Sequence, residues 1–121
     1  IFNFILNAGG NARLGIIDAP PFEFEGVREI LVASYEHEQF VTQSIYDLSN
    51  AASAAGVLKT VEFLKWFVNE QVEEEDGSST NIGRYDILGK DSAGLYTLDR
   101  DMGLRTYTKA VYLTDLEGTI G

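Results

Sequence analysis

Cysteine is absent from the 121 residues, which removes disulfide scaffolds, thiolate metal sites and thiol nucleophiles while leaving the redox compartment undetermined. Long apolar runs are lacking too. No stretch approaches the ~18 or more consecutive apolar residues of a membrane-spanning helix, and no basic-then-apolar leader opens the chain, so the expectation is a cytoplasmic protein without a membrane partner. Basic residues are scarce: nine Lys and Arg stand against nineteen Asp and Glu, a net charge of −10. That balance argues against nucleic acid and anionic lipid as partners and suits a protein that attracts cations, although most acidic proteins are acidic only for solubility. Proline occurs twice, as the pair Pro20-Pro21, and histidine once, as His37.

What is present is a chain with 45% apolar residues, enough for a modest core in one domain at most. Ile1-Phe2-Asn3-Phe4-Ile5-Leu6 followed by Ala8-Gly9-Gly10 reads as the last turn of a helix closed by a glycine in the left-handed conformation. The beginning of that helix is expected to be missing. Residues 11–25 hold the proline pair, scattered charges and no sustained period, and read as an extended connector. Fifteen residues span roughly 50 Å at about 3.3 Å each. A helix of about 28 residues is only ~42 Å long. Such a connector can run the length of a bundle and join two parallel helices.

The segment after it carries the clearest pattern. Val27, Leu31, Ser34, Glu38, Val41, Ile45, Leu48, Ala52 and Ala55 are spaced alternately by four and three residues, the seam of a bundle helix. Gly56 interrupts it, and a second run follows at Val57, Leu64, Phe67, Gln71, Glu74, Ser78, Ile82 and Tyr85. So short a connection predicts antiparallel neighbours. Glu38 lies eighteen residues before Gly56, Glu74 eighteen after it, and Gln71 one turn nearer, which puts all three at one height, about 27 Å along the pair. A carboxylate inside an apolar seam costs several kcal/mol unless it finds a hydrogen bond, a cation or a proton. Oxygen donors converging there suit a hard or borderline cation such as iron, with structural hydrogen bonding as the other reading.

Other residues are weighed in the same way. The run Glu70-Gln71-Val72-Glu73-Glu74-Glu75 places carboxylates at i,i+3 and i,i+4, where like charges repel and a cation would relieve them. A solvated acidic face explains Glu73 and Glu75 as well. His37 points off the seam and reads as polar-face or supporting. Trp66 reads as helix-face packing rather than an electron carrier, Met102 is no haem ligand, and Gly9-Gly10 with Gly15 lacks the strand-then-helix setting of a phosphate loop. Gly77 and Gly83 weaken the second long helix by up to roughly 1 kcal/mol each relative to alanine and predict a kink or fraying there. After Gly89 the expectation is a loop at 90–93, a short helix at 95–102 closed by Gly103, and a tail at 104–121 that is extended or disordered.

Tyr35-Glu36-His37-Glu38-Gln39, then Phe63-Leu64-Lys65-Trp66-Phe67-Val68-Asn69-Glu70-Gln71-Val72-Glu73-Glu74-Glu75, resembles the third and fourth helices of bacterial non-haem ferritins. Gly94-Leu95-Tyr96-Thr97-Leu98-Asp99 resembles the start of that family's short fifth helix. The likeness runs from Phe2 to about Met102, and the phrase from Trp66 to Glu75 is its most specific part. It implies an all-α fold, a partial ferritin-like four-helix bundle over 1–103, with the crossover, two long antiparallel helices and a short C-terminal helix. It also implies iron storage and detoxification in a homo-oligomeric shell. A di-iron ferroxidase centre, without haem, would oxidise Fe(II) with dioxygen or peroxide and deliver ferric iron to a mineral. Glu38, Gln71 and Glu74 match ferroxidase positions, while Glu70 and Glu73, with Glu74, match ligands of an additional nearby iron site. The family's first-helix glutamate and second-helix Glu-x-x-His pair have no counterpart, so only half of a di-iron site is expected. Two alternatives follow from that shortfall: a helical hairpin acting as an interaction module, or one that dimerises to rebuild a four-helix bundle without full ferroxidase activity.

Overall fold

The computed structural model describes residues 1–106 and is wholly helical over them apart from the connector and the turns. Four helices follow one another: α1 (Phe2–Asn7), α2 (Val27–Ala54), α3 (Leu58–Leu88) and α4 (Ser92–Gly103). Of the tail expected from Leu104, residues 107–121 lie outside the described part.

The long helices exist because their ends are well defined and their inner stripe repeats by sevens. α2 opens after an extended Gly26, with Glu29 in its first turn accepting a hydrogen bond from the Glu25 backbone N–H. The bond ties the residue before the N-cap to the first turn, and Glu29 sets a negative charge at the positive end of the helix dipole. α2 closes at Gly56, whose φ is +71°. The Gly56 N–H donates to the Ser53 carbonyl at 3.0 Å and the Val57 N–H to the Ala52 carbonyl at 2.9 Å, the paired bonds of a Schellman ending, which needs a left-handed residue. The same ending closes α1, where the Gly9 and Gly10 N–H groups donate to Leu6 and Ile5 carbonyls, as the Ala8-Gly9-Gly10 signal predicts. Residues 11–24 then run without regular structure, as expected of the connector.

With only Ala55 to Val57 between them, α2 and α3 must double back, and their side chains record the antiparallel pairing. Arg28, at the start of α2, grips Asp86, near the end of α3, through Nε–Oδ1 at 2.8 Å and Nη2–Oδ2 at 3.1 Å. Leu31, Ile45 and Ala52 of α2 and Leu64 of α3 are buried between the helices, with Gln71 the buried polar residue. The seam is narrower than its periodicity suggests. Ser34 and Ala55 are exposed, and Val27 and Leu48 remain about half exposed at 48% and 49%, because two helices cover only part of each other's apolar stripe.

Two expectations about the chain after Trp66 need correction. α3 runs unbroken through Gly77 and Gly83 to Leu88. Roughly 1 kcal/mol per glycine is outweighed by the packing of Ser78, Ile82 and Tyr85, which are half buried, and by the Arg28 grip on Asp86. α4 begins at Ser92, three residues before Leu95, because the Asp91 carboxylate caps it by accepting from the Gly94 N–H at 2.7 Å. Gly94 is required for another reason: a Cβ there would lie 1.9 Å from the Leu88 carbonyl oxygen. The bare backbone lets α4 start against the end of α3. Buried Leu98 and the Arg84–Asp101 pair at 2.7 Å then hold α4 in place.

Candidate metal centre

Half-way along the hairpin, Gln71 reaches from α3 to α2. Its amide Nε2 lies 3.1 Å from the Glu38 carbonyl oxygen, 3.1 Å from Glu38 Oε2 and 3.2 Å from Thr42 Oγ1. One amide nitrogen carries two hydrogens, so these three acceptors share two donors. Thr42 in turn donates its hydroxyl to the Glu38 carbonyl at 3.0 Å. The result is a small polar knot, only 8% exposed at Gln71, between the buried apolar layers of Leu31 and Ile45 on one helix and Leu64 on the other. Glu38 itself is half buried. The sequence pattern placed Glu38 and Gln71 at one height, and they meet. Thr42 was not anticipated; its signal was its position one turn after Glu38 on the same face.

Glu74 is placed otherwise. Arg105, in the segment that follows α4, sets Nη2 at 2.9 Å from each of the two Glu74 carboxylate oxygens. The guanidinium is held above its ordinary pKa first by this hydrogen bond and then by the Glu74 charge, against the opposing effect of burial, with the charge of Glu38 adding least. Sequence reading missed Arg105 because nothing in the period of the chain fixes where a residue after the last helix will fold back.

Glu70 is half buried on α3, and Glu73 is exposed. Glu73 lines an open cleft of about 430 Å³ with Asp76, Gly77, Thr80, Asn81 and Arg105. His37 is exposed and keeps off the seam, its ring 6.1 Å from that of Phe40. Trp66 packs edge-on against Phe67 at 4.8 Å, and Phe67 against Phe63 at 5.4 Å, with Phe63 stacked on Phe4 of α1 at 4.0 Å. This is the packing role expected of Trp66.

As donors, Glu38 and Gln71 suit a hard cation: oxygen-bearing side chains brought together in an otherwise apolar interior. Glu74, as placed, does not complete them, since both its oxygens face a guanidinium. Among the described residues no group of three or more histidine or carboxylate side chains is gathered to hold a metal ion. Nor is any helix long and apolar enough to cross a membrane.

Comparison with known proteins agrees with this architecture. The chain is 36% identical to the bacterial non-heme ferritin of Staphylococcus aureus (strain USA300) over 107 residues, covering 88% of this chain and 64% of that one. It is 32% identical to a probable bacterial non-heme ferritin-like protein of Haemophilus influenzae over 103 residues, 85% of this chain and 62% of the relative. The chain therefore spans somewhat under two thirds of the length of these relatives. The open pore ferritin of Archaeoglobus fulgidus superposes with a TM-score of 0.83 at 33% identity, covering 87% of this chain and 64% of that one. A closed form engineered from the same archaeal ferritin gives 0.84 at 34%, covering 88% and 65%. Residues 1–87 match the sequence profile of the ferritin-like domain, and on these grounds the chain belongs to the ferritin-like family.

Proposed function

We propose that this chain is part of an iron-storing ferritin, in which Fe(II) is the substrate, oxidised at a carboxylate-rich centre and kept as ferric mineral inside a homo-oligomeric shell. The observation that carries the reading is the buried Gln71 amide held against Glu38 across the α2–α3 interface. Packing alone gives no reason to place an amide and a carboxylate opposite each other at mid-height, where leucines would stabilise the pair more cheaply. Glu38, Gln71 and Glu74 are the ligands proposed for the ferroxidase centre. Glu70 and Glu73, with Glu74, are proposed for an adjoining iron position.

In this reading each protein group has a defined task. The Glu38 carboxylate supplies charge on the α2 side. Gln71 fixes the rotamer of Glu38 through its N–H and offers a neutral carbonyl oxygen toward the site, so that charge there does not exceed what the cation neutralises. The electrons leave Fe(II) for dioxygen or peroxide, and Leu31, Ile45 and Leu64, buried in the same interface, accompany the burial of Gln71. Val27, Leu48 and Val57, all about half exposed, supply apolar surface on which the remaining helices of a bundle would pack.

The test is anaerobic Fe(II) binding followed by oxygen exposure in the full-length protein, comparing wild type with Glu38→Gln and Glu74→Gln. Loss of stoichiometric binding and of the fast oxidation phase in both variants supports the assignment. Wild-type-like behaviour of both would remove these residues from the site and leave the hairpin as an interaction module.

A further inference from the structure

The contact between Arg105 and Glu74 stands outside the iron site read above, yet it bears directly on one of its proposed ligands, and the inference rests on that reading. We infer that Arg105 is a built-in cation that occupies Glu74 and has to be displaced before a metal ion binds there, so that filling the site releases residues 104–106 from α3.

The geometry carries the argument. A single nitrogen, Nη2, sits 2.9 Å from both Glu74 oxygens, the same two atoms a metal ion would use. A guanidinium does not lose its charge at any working pH, so Glu74 is cleared by competition and not by titration. The competitor is delivered intramolecularly. α4 is seated on α3 by buried Leu98, by the Arg84–Asp101 pair and by the close approach at Gly94, and Arg105 follows two residues after α4 ends. Such tethering gives the cation a high effective concentration at its carboxylate. The latch is also weak enough to open. The Arg105 side chain is 63% exposed and that of Glu74 33%, a setting in which an ion pair contributes little against water.

Release is eased by a second seat. Arg105 lines the same open cleft as Asp76, a carboxylate outside the proposed ligands, so the displaced guanidinium can turn to it without being left bare. Until a metal arrives, Arg105 moderates the repulsion among Glu70, Glu73 and Glu74 on that face, and its charge also acts on Glu38.

The experiment is calorimetric titration of Fe(II) under anoxia into the full-length protein, taking as the signal the component that Glu74→Gln abolishes. It compares wild type with Arg105→Gln and with Arg100→Gln, which removes the same charge from an exposed arginine that pairs with Asp101 instead. Losing a partly exposed competitor should tighten that component by about two- to fivefold in Arg105→Gln and leave Arg100→Gln near wild type. Hydrogen exchange of residues 102–106 in the wild type should accelerate on adding Fe(II). If Glu74-dependent binding is present but Arg105→Gln matches Arg100→Gln and exchange is unchanged, the latch is overturned and the iron site stands. If no Glu74-dependent binding is found in wild type or in Arg105→Gln, the site assignment falls and the latch with it.

Discussion

Replacing Gln71 separates a metal-ready polar pair from ordinary packing, because two substitutions of similar size act in opposite senses. Gln71→Leu removes the amide that bonds Glu38 Oε2, the Glu38 carbonyl and Thr42 Oγ1. At most two of those bonds are well formed at once. With a net worth of about 1 kcal/mol for a neutral bond and somewhat more for one to a charged group, less what water returns to the half-buried Glu38, the loss is about 1–2 kcal/mol. Gln71→Glu puts a second carboxylate where a donor stood. Two unit charges about 4 Å apart repel by up to ~4 kcal/mol at an effective dielectric of 20. Proton uptake and partial hydration relieve some of this, leaving about 2–4 kcal/mol of destabilisation. A divalent cation reverses the order of benefit: it bridges the two carboxylates in Gln71→Glu and has least to hold in Gln71→Leu. Denaturant unfolding of the full-length protein in chelator, then with Mn(II), reads both effects. Stabilities of both variants within ~0.5 kcal/mol of wild type in chelator, the usual range for an inert surface change, together with equal responses to Mn(II), would refute the reasoning.

Three further outcomes follow from the fold. Leu98→Ala empties the best-buried of the described positions, 3% exposed, and should cost about 2–4 kcal/mol by loss of packing and a residual cavity, seen in chemical denaturation and in faster exchange across α4. Gly56→Ala meets no neighbouring atom within 4 Å but forces an L side chain to φ +71°, so thermal unfolding should report a loss of about 1–2 kcal/mol of purely conformational origin. Acid should loosen the C-terminal end of α3, where it meets the start of α2 and α4. Asp86 is held below the ordinary carboxylate pKa by hydrogen bonding to Arg28, and Asp101 by Arg100 and then Arg84. Each lowered pKa contributes stability that is complete above the unfolded-state value near 4 and is lost as pH falls through the folded-state value. The decline should therefore fall below about pH 4 and be smaller in Arg28→Gln, as followed by circular dichroism; an unchanged acid profile in that variant would speak against it.

How much of this was legible in the sequence depends on the range of the physics involved. Helix α2, its end at Gly56 and the extended connector were legible because they follow from local signals: a four-three seam, a left-handed glycine, a proline pair. The meeting of Glu38 with Gln71 was legible too, since a tight turn converts sequence distance from Gly56 into height along two antiparallel helices. Continuity through Gly77 and Gly83 was not. Propensity counts the cost of each glycine, whereas the Arg28 grip on Asp86 fifty-eight residues away is invisible to it. The early start of α4 was in principle readable, because Asp91 three residues before Gly94 has the spacing of an N-cap with its N3 partner. The seat of Arg105 had no such signal.

That last residue shows why a seam pattern locates donors without settling their state. The period of α3 sets Gln71 and Glu74 on one face three residues apart, and on that criterion alone they are equivalent partners for Glu38. Tertiary contacts then divide them. Gln71, neutral and 8% exposed, takes the interior place, where an unpaired charge would be most costly. Glu74, charged and one turn farther out, keeps a third of its side chain in water and is matched by a guanidinium from beyond α4. Exchanging the two residue types would bury the carboxylate beside Glu38 and leave the amide facing Arg105, raising the repulsion at the interface while removing the ion pair that Glu74 makes with Arg105. The order in the sequence, amide inside and carboxylate outside, therefore keeps the charged group where water and a guanidinium reach it and the neutral one in the interior.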